Sequence, residues 1–302
     1  MNTKINLAGI EMKNPVTVAS GTFGYGREFT EFFDLSKLGG IITKGTSLKP
    51  KSGNKPPRVC ETASGMLNSI GLQNPGVEYF AQNDLPFLRK FDTAIIANAC
   101  GSSIEEYVEL CKILNTLPID GVELNLSCPN VKEGCMAFGN SYEGVKTVTK
   151  AVRKVLDKPL IVKLTPNVTD IASIAKAVED AGADGVSLIN TLLGMKIDIE
   201  KRKPVLANNT GGLSGPAIKP VAVRMVYQVA QAVHIPILGM GGITSGDDAI
   251  EFMLAGAAAV SIGAGNFMDP YTSIHTIEGI ETYGNKHHIE NIQEIIGTVE
   301  MN

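Results

Sequence analysis

The chain has 302 residues, 44% of them hydrophobic and 19% charged, with 32 Gly and 15 Pro, a globular composition with many tight turns that excludes a disordered or fibrous protein. Lys plus Arg number 27 against 31 Asp plus Glu, and the net charge of -4 gives no long-range pull toward nucleic acid or an anionic membrane. Small molecules and proteins are the expected partners.

The opening residues, Met-Asn-Thr-Lys-Ile-Asn-Leu, lack the apolar stretch of a signal peptide, and no later segment approaches the ~18 apolar residues of a membrane span. The five cysteines, Cys60, Cys100, Cys111, Cys128 and Cys135, are odd in number and contain no Cys-x-x-Cys pair for zinc or an iron–sulfur cluster. A cytoplasmic protein without a metal is expected. No repeat, linker or low-complexity tract divides the chain, so residues 1–302 are expected to form one domain.

In chain order, residues 3–7 and 10–13 flank Ala8-Gly9 and predict a hairpin suited to plug the bottom of a barrel. Eight β-branched runs follow, at 16–19, 40–44, 93–98, 121–126, 160–164, 185–189, 236–240 and 258–262, and read as parallel strands. Between the third and fourth, 102–117 opens with a capping box at Ser102 and Glu105 and places Tyr107, Leu110, Cys111 and Leu114 on one helical face. Segment 169–181 repeats the pattern, with Thr169 as N-cap, Ile171, Ile174, Ala175 and Val178 as the buried stripe, and Gly182 as the stop. Ser245 and Asp248 before Ile250, Met253 and Leu254 give a third such helix. Eight βα units favour a closed TIM (β/α)8 barrel over an open sheet. The stretches 45–75 and 191–215 are Gly, Pro and Asn rich, too long for ordinary βα loops, and expected to be functional. Lys201-Arg202-Lys203 reads as a solvated loop.

The two ends of these strands differ. Their starts carry Asn14-Pro15, Asp157-Lys158-Pro159, Gly182-Ala183-Asp184 and Ile235-Pro236, which is turn chemistry. Their ends carry Ser20-Gly21-Thr22, Lys44-Gly45-Thr46, Asn98, Asn125, Lys163, Asn190-Thr191, Gly241-Gly242 and Gly263-Ala264, and barrel active sites occupy that face. Strand alternation turns Glu123, Asn125 and Ser127 toward the axis, with Val122, Leu124 and Leu126 toward the helices, and turns Lys163 inward. An inward lysine carries a desolvation cost that an anion must offset. Lys44 and Lys163 therefore point to an anionic or electron-accepting ligand; internal salt bridges, with Glu123 as the obvious partner, are the alternative.

Gly239-Met-Gly-Gly-Ile-Thr and Gly263-Ala-Gly-Asn-Phe lack the third Gly and later acidic residue of a dinucleotide fingerprint. After the last two strands of a barrel, such turns present bare N–H groups to a phosphate. Cys128 is the candidate reactive atom, because Ser127-Cys128-Pro129-Asn130 leaves a strand at the mouth and enters a loop with glycines at both ends. Cys60, Cys100 and Cys111 read as small buried hydrophobes, and Cys135 as an exposed thiol in that loop. His234, His275, His287 and His288 show no metal spacing, and with no His before them a thiol acting as acid or base beside a cofactor is more natural than a Cys–His pair.

The motifs Asn68-Ser-Ile-Gly-Leu-Gln-Asn-Pro-Gly76, Asn125-Leu-Ser-Cys-Pro-Asn130, Asn190-Thr-Leu-Leu-Gly-Met195, Gly211-Gly-Leu-Ser-Gly-Pro216 and Gly239-Met-Gly-Gly-Ile243 closely resemble the FMN-dependent dihydroorotate dehydrogenases over essentially the whole chain. Gly21-Thr-Phe-Gly-Tyr-Gly26 and the Asn190 motif resemble the class 1B catalytic subunit more than the class 1A enzyme, and a Cys at the base position, where class 2 enzymes have Ser, also argues for class 1. The resemblance implies one FMN per chain, its phosphate on Gly242, Gly263 and Ala264, with Ser20, Lys44, Gly45, Asn98, Asn125, Ile189, Gly215 and Gly241 around the rest and Lys163 at the electron-rich edge of the ring system. It implies dihydroorotate stacked on that ring, held by Lys44, Asn68, Ser69, Ile70, Gly71, Leu72, Asn125, Asn190 and Thr191. Amide side chains suit an imide ring, and Lys44 suits its carboxylate. Ala264 departs from the family, which commonly has Thr there; the backbone N–H survives, so at most a weakened phosphate contact is expected.

Oxidation by such an enzyme removes a hydride from C6, which the flavin accepts, and a proton from C5, which Cys128 would take. An unperturbed thiol has a pKa of ~8.5, so activity should rise with pH unless a neighbouring cation lowers that value. Class 1B resemblance further implies a partner subunit bearing FAD and a [2Fe-2S] cluster, a heterotetramer of two catalytic and two electron-transfer chains, and NAD as final acceptor. A fumarate-dependent class 1A enzyme, a related flavin-dependent pyrimidine reductase, a flavin-free barrel lyase using Lys44 or Lys163 as a Schiff base, and a noncatalytic barrel are the alternatives.

Overall fold

A computed structural model describes residues 1–126 and 138–302. Its centre is a closed barrel of eight parallel strands, each buried along most of its length. Sixteen strands are described in all. The barrel consists of β3 (Val16–Val18), β4 (Gly40–Ile42), β7 (Ala94–Ala99), β8 (Gly121–Asn125), β9 (Leu160–Lys163), β10 (Gly185–Leu188), β15 (Ile237–Met240) and β16 (Ala259–Ile262), neighbours in that order, with β16 closing on β3. All eight strands expected from the sequence are present, each within two residues of its expected limits. Runs such as Ile95-Ile96-Ala97 and Leu160-Ile161-Val162 have no exposed face, because one side packs into the barrel and the other under the helices.

The helices that cover the barrel are α1 (Ile104–Thr116), α2 (Tyr142–Arg153), α3 (Ile171–Asp180), α4 (Lys219–Ala230), α5 (Gly246–Leu254) and α6 (Thr272–Lys286), with shorter turns at 77–88 and 265–268. Tyr107, Leu110, Cys111 and Leu114 on α1, and Ile171, Ile174, Ala175 and Val178 on α3, form the expected buried stripes. The caps lie one residue further on than expected. Ser103 accepts from the Glu106 N–H while Glu106 returns to the Ser102 N–H, and Asp170, not Thr169, accepts from the Ser173 N–H. Ser245 caps α5 as expected, and its stripe uses Phe252 where Leu254 was expected, since Leu254 is only half-buried. The first crossover, from β3 to β4, has two 3-10 turns, at Glu28–Glu31 and Leu35–Lys37, in place of a helix.

The expected hairpin forms as β1 (Ile5–Leu7) and β2 (Ile10–Met12), with Leu7 opposite Ile10 and positive φ at both Ala8 (55°) and Gly9 (90°), the conformation of a primed hairpin turn. Ile10 packs at Gly121 and Ala8 at Gly185, both at strand starts, so the hairpin closes the barrel's lower end. The starts do more than turn. Asn14 accepts from the Val16 N–H (3.1 Å), Asp120 from Ile95 N–H (2.7 Å) and Asp184 from Leu160 N–H (2.8 Å), satisfying strand donors at the barrel's edge.

The two long stretches expected as functional loops pair with each other. Strands β5 (Val59–Thr62), β6 (Gly65–Asn68), β11 (Leu192–Gly194) and β14 (Gly211–Ser214) form a four-stranded antiparallel sheet, while β12 (Ile197–Asp198) and β13 (Lys203–Pro204) make a separate small ribbon. Lys201, Arg202 and Lys203 are exposed, as expected of a solvated loop. Among the described residues no helix is long and apolar enough to cross a membrane.

Candidate active site

At the C-terminal ends of the barrel strands lies a cavity of about 410 Å³, within the range of small-molecule sites. Its floor comes from strand residues turned inward by alternation. Asn98 is fully buried, Asn125 is 6% exposed and Lys163 5% exposed, and all three reach the cavity. Beneath them Glu123, with no exposed surface, accepts from Asn98 Nδ2 (2.5 Å) and Ser187 Oγ (2.7 Å). Lys163 Nζ stands 4.0 Å from its Oε2. The internal pairing that the sequence left as an alternative for Lys163 therefore exists, and the same lysine also faces the cavity.

Asn98 connects this layer to the next, its Oδ1 accepting from Asn125 Nδ2 (3.3 Å) and from Cys100 Sγ (3.3 Å). Cys100 is thus a donor to the site's amide chain as well as a small buried group. From outside the barrel Tyr107 of α1 donates its hydroxyl to the Asn125 carbonyl (2.8 Å), fixing the end of β8.

The wall is built by segments distant in sequence. The Lys44 N–H donates to the Gly24 carbonyl (2.9 Å), so the Gly21–Gly26 loop holds the backbone of the cavity lysine. Gly45 follows because a Cβ there would lie 2.9 Å from Cys100 Sγ and 3.0 Å from Asn98 Oδ1. Asn68 reaches the cavity from the end of β6, with Ile70, Gly71 and Leu72 beyond it, and Asn190 and Thr191 reach it as the chain leaves β10, Thr191 lying beside Gly212, the β14 partner of Asn68. Ser69 does not line the cavity. It is fully buried, its N–H bonded to Arg58 and its carbonyl to Asn54, so it is a strut under the wall.

The remaining rim is formed by Ser20, Ile189, Ala264 and four glycines, Gly215, Gly241, Gly242 and Gly263, with Gly242 at φ +82°. A Cβ at Gly242 would meet the Gly215 carbonyl at 2.8 Å and Lys219 N at 2.9 Å, so no side chain can stand there. Asp248 of α5 braces this turn. It accepts from the Thr244 N–H (2.8 Å) and hydroxyl (2.9 Å) and pairs with Lys219 (2.7 Å). Burial works against ionisation of Asp248, yet the Lys219 ammonium and the Thr244 donors outweigh it and hold the carboxyl below its usual value.

Cys128 and Cys135 lie outside the described residues. Of the other thiols, Cys111 is buried and its pKa pushed up to about 12 by that burial, which makes it inert, whereas Cys60 on β5 is half-exposed rather than buried. Tyr25, beside the Lys44 loop, is also raised to about 12 by burial and stays a neutral phenol. The cavity surface also uses Val59, Met66, Ser214, Ile218 and Phe267, none of which the sequence marks individually as a site residue.

The donor set fits a flat, phosphate-bearing redox cofactor. Glycines whose N–H groups can meet a phosphate line part of the rim, amides form the floor, and two lysines line the cavity. A family model described as dihydroorotate dehydrogenase matches residues 2–283. Chains named dihydroorotate dehydrogenase B (NAD(+)), catalytic subunit, are similar to this one at 58% identity in Alkaliphilus metalliredigens, covering 99% of both chains, and at 59% in Alkaliphilus oremlandii, covering 98% of both. A solved structure from Eimeria tenella, described as DHODH in complex with ferulenol, superposes with a TM-score of 0.81 at 21% identity over 98% of this chain and 88% of that one, a likeness of fold.

Proposed function

The chain belongs to the dihydroorotate dehydrogenase family, and from that membership we infer that it oxidises dihydroorotate to orotate in pyrimidine biosynthesis, as a catalytic subunit whose electrons reach NAD through a partner subunit. The observation that carries the assignment of the site is the meeting of Lys44, Asn68, Asn125, Asn190 and Thr191 with bare glycine backbone in one cavity. FMN is the cofactor this donor set suits, and when bound it supplies a hydride acceptor that no side chain can provide. Gly242, Gly263 and Ala264 would hold its phosphate, Ser20, Gly45, Asn98, Ile189, Gly215 and Gly241 would border the remainder, and Lys163 would meet the negative charge of the reduced state.

The substrate's carboxylate pairs with Lys44, which stands on the wall above the floor. Its ring amides match the side-chain amides of Asn68, Asn125 and Asn190 and the Thr191 hydroxyl, each able both to donate and to accept. The backbone of Ile70, Gly71 and Leu72 closes one side of the cavity, beside which a substrate is partly desolvated, strengthening these contacts. Cys128, three residues beyond Asn125 in sequence, takes the C5 proton. FAD and a [2Fe-2S] cluster belong to the partner subunit in this reading, and two copies of each chain make the assembly. Cys60 and Cys111 are free thiols, in keeping with work in a reducing cytoplasm.

An anaerobic titration tests the function directly. The purified protein is expected to show flavin absorbance that dihydroorotate bleaches stoichiometrically; a coloured protein that dihydroorotate leaves oxidised would overturn the substrate, and a protein that takes up no FMN would overturn the cofactor.

A further inference from the structure

Among the described residues two carboxylates are buried, Asp84 and Glu123, and Glu123 alone has no exposed surface. Glu123 does not line the cavity. It sits one layer below, opposite Asn98 in the β7–β8 register, while Asn125 and Lys163 stand opposite each other above it. A carboxylate accepts and cannot donate when ionised, so Asn98 must turn Nδ2 toward Glu123, as its 2.5 Å bond shows. That leaves Asn98 Oδ1 as the acceptor on the other edge, and Asn125 must in turn offer Nδ2 to it (3.3 Å). The orientation of a cavity amide is thereby dictated by a residue two bonds away that touches no ligand. Ser187 at 2.7 Å holds the other carboxylate oxygen and keeps Glu123 from rotating out of this arrangement. The Lys163 ammonium, 4.0 Å from Oε2, has part of its charge offset from below.

We propose that Glu123 is a positioning residue that fixes the amide polarity of Asn98 and Asn125 and tempers the Lys163 charge, and so sets how strongly the cavity floor favours the reduced, more negative state of the flavin. The inference rests on the FMN reading of the cavity. Two variants separate its two parts. Glu123→Gln keeps the shape and removes the charge, whereas Glu123→Asp keeps the charge and shortens the reach by one methylene.

The test measures the two-electron midpoint potential of bound FMN and the dissociation constant of orotate in wild-type holoenzyme and both variants. In Glu123→Gln the uncompensated lysine raises the potential by about 30 mV, a tenfold change in the two-electron equilibrium, and orotate binds about tenfold more weakly because either face of the Asn98 amide can now meet the glutamine. In Glu123→Asp the potential stays within about twofold of the wild-type equilibrium while orotate binding is still lost about tenfold, and this variant decides the amide part alone if the glutamine variant does not fold. Potentials and orotate affinities unchanged in both variants would overturn the proposal while leaving the flavin reading intact. Wild-type protein that takes up no FMN would remove that reading and the proposal with it.

Discussion

Lys44 owes its position to two segments of chain. Strand β4 delivers it to the mouth, and the carbonyl of Gly24 holds its N–H from across the Gly21–Gly26 loop. In the proposed function its ammonium meets the substrate carboxylate in a partly desolvated cavity, where a charge-assisted contact is worth more than at the surface. Lys44→Ala is accordingly expected to weaken orotate binding by ~2–4 kcal/mol, read by calorimetric titration of the holoenzyme; an unchanged dissociation constant would make the lysine structural. Cys128 carries the second expectation at this scale. A hydroxyl is a far poorer base than a thiol near neutral pH, so Cys128→Ser should bind FMN normally and reduce it at least ~100-fold more slowly, as followed by stopped-flow absorbance. Reduction at the wild-type rate would assign the proton to another acceptor.

At the scale of elements, polar side chains at strand starts and strand ends do different work. At the barrel's lower edge Asn14 satisfies the first N–H of its own strand, Asp120 and Asp184 satisfy N–H groups of neighbouring strands, and Arg153, the last residue of α2, adds an ion pair to Asp184 at 2.8 Å. Near the mouth, helices α4 and α5 are joined by Lys219 to Asp248 (2.7 Å) and Glu251 (2.6 Å). The Lys219 ammonium is raised above its ordinary value by these two acceptors, and Asp248 is lowered despite its burial. A depressed carboxyl stabilises the fold above its unfolded value near 3.8 and loses that contribution as pH falls through the folded value. The raised lysine contributes fully below 10.5 and loses its share as pH rises through its folded value. Wild type is therefore expected to exceed Asp248→Asn in urea midpoint at pH 7, with the gap closing as the pH is taken below 3.8. A gap that persists unchanged in acid would show that the carboxylate's charge contributes nothing.

For the whole molecule, the barrel separates stability from chemistry along its axis. The hairpin and the strand-start acceptors close the lower end, and the antiparallel sheet of β5, β6, β11 and β14 stands at the mouth beside the cavity. Reduced flavin must hand its electrons on, yet the sequence holds neither a complete Gly-x-Gly-x-x-Gly unit for a nicotinamide nor a Cys-x-x-Cys pair for a cluster. The isolated chain loaded with FMN is expected to reduce artificial dyes with dihydroorotate but not NAD, and to gain NAD reduction when the electron-transfer subunit is added. Steady NAD reduction by the isolated chain would refute the two-subunit reading, and rapid turnover with fumarate would favour direct reoxidation in the substrate site.

The barrel is legible in the residues alone, because eight apolar runs separated by crossover segments, each bounded by turn residues, have one economical closed arrangement. So are the side chains that reach the floor, since alternation along β8 and β9 sends Glu123, Asn125 and Lys163 inward whatever lies around them. Cap positions slipped by one residue because adjacent polar residues compete for the same N–H groups, as Ser102 does with Ser103 and Thr169 with Asp170. How the two long stretches meet is a matter of tertiary packing: β6 pairs with β14, more than a hundred residues away, and this pairing brings Asn68 opposite Gly212. Packing likewise decides that Lys163 both faces the cavity and stands by Glu123, since strand alternation gives a side chain's face and leaves its distance to a neighbour to the closure of the whole barrel.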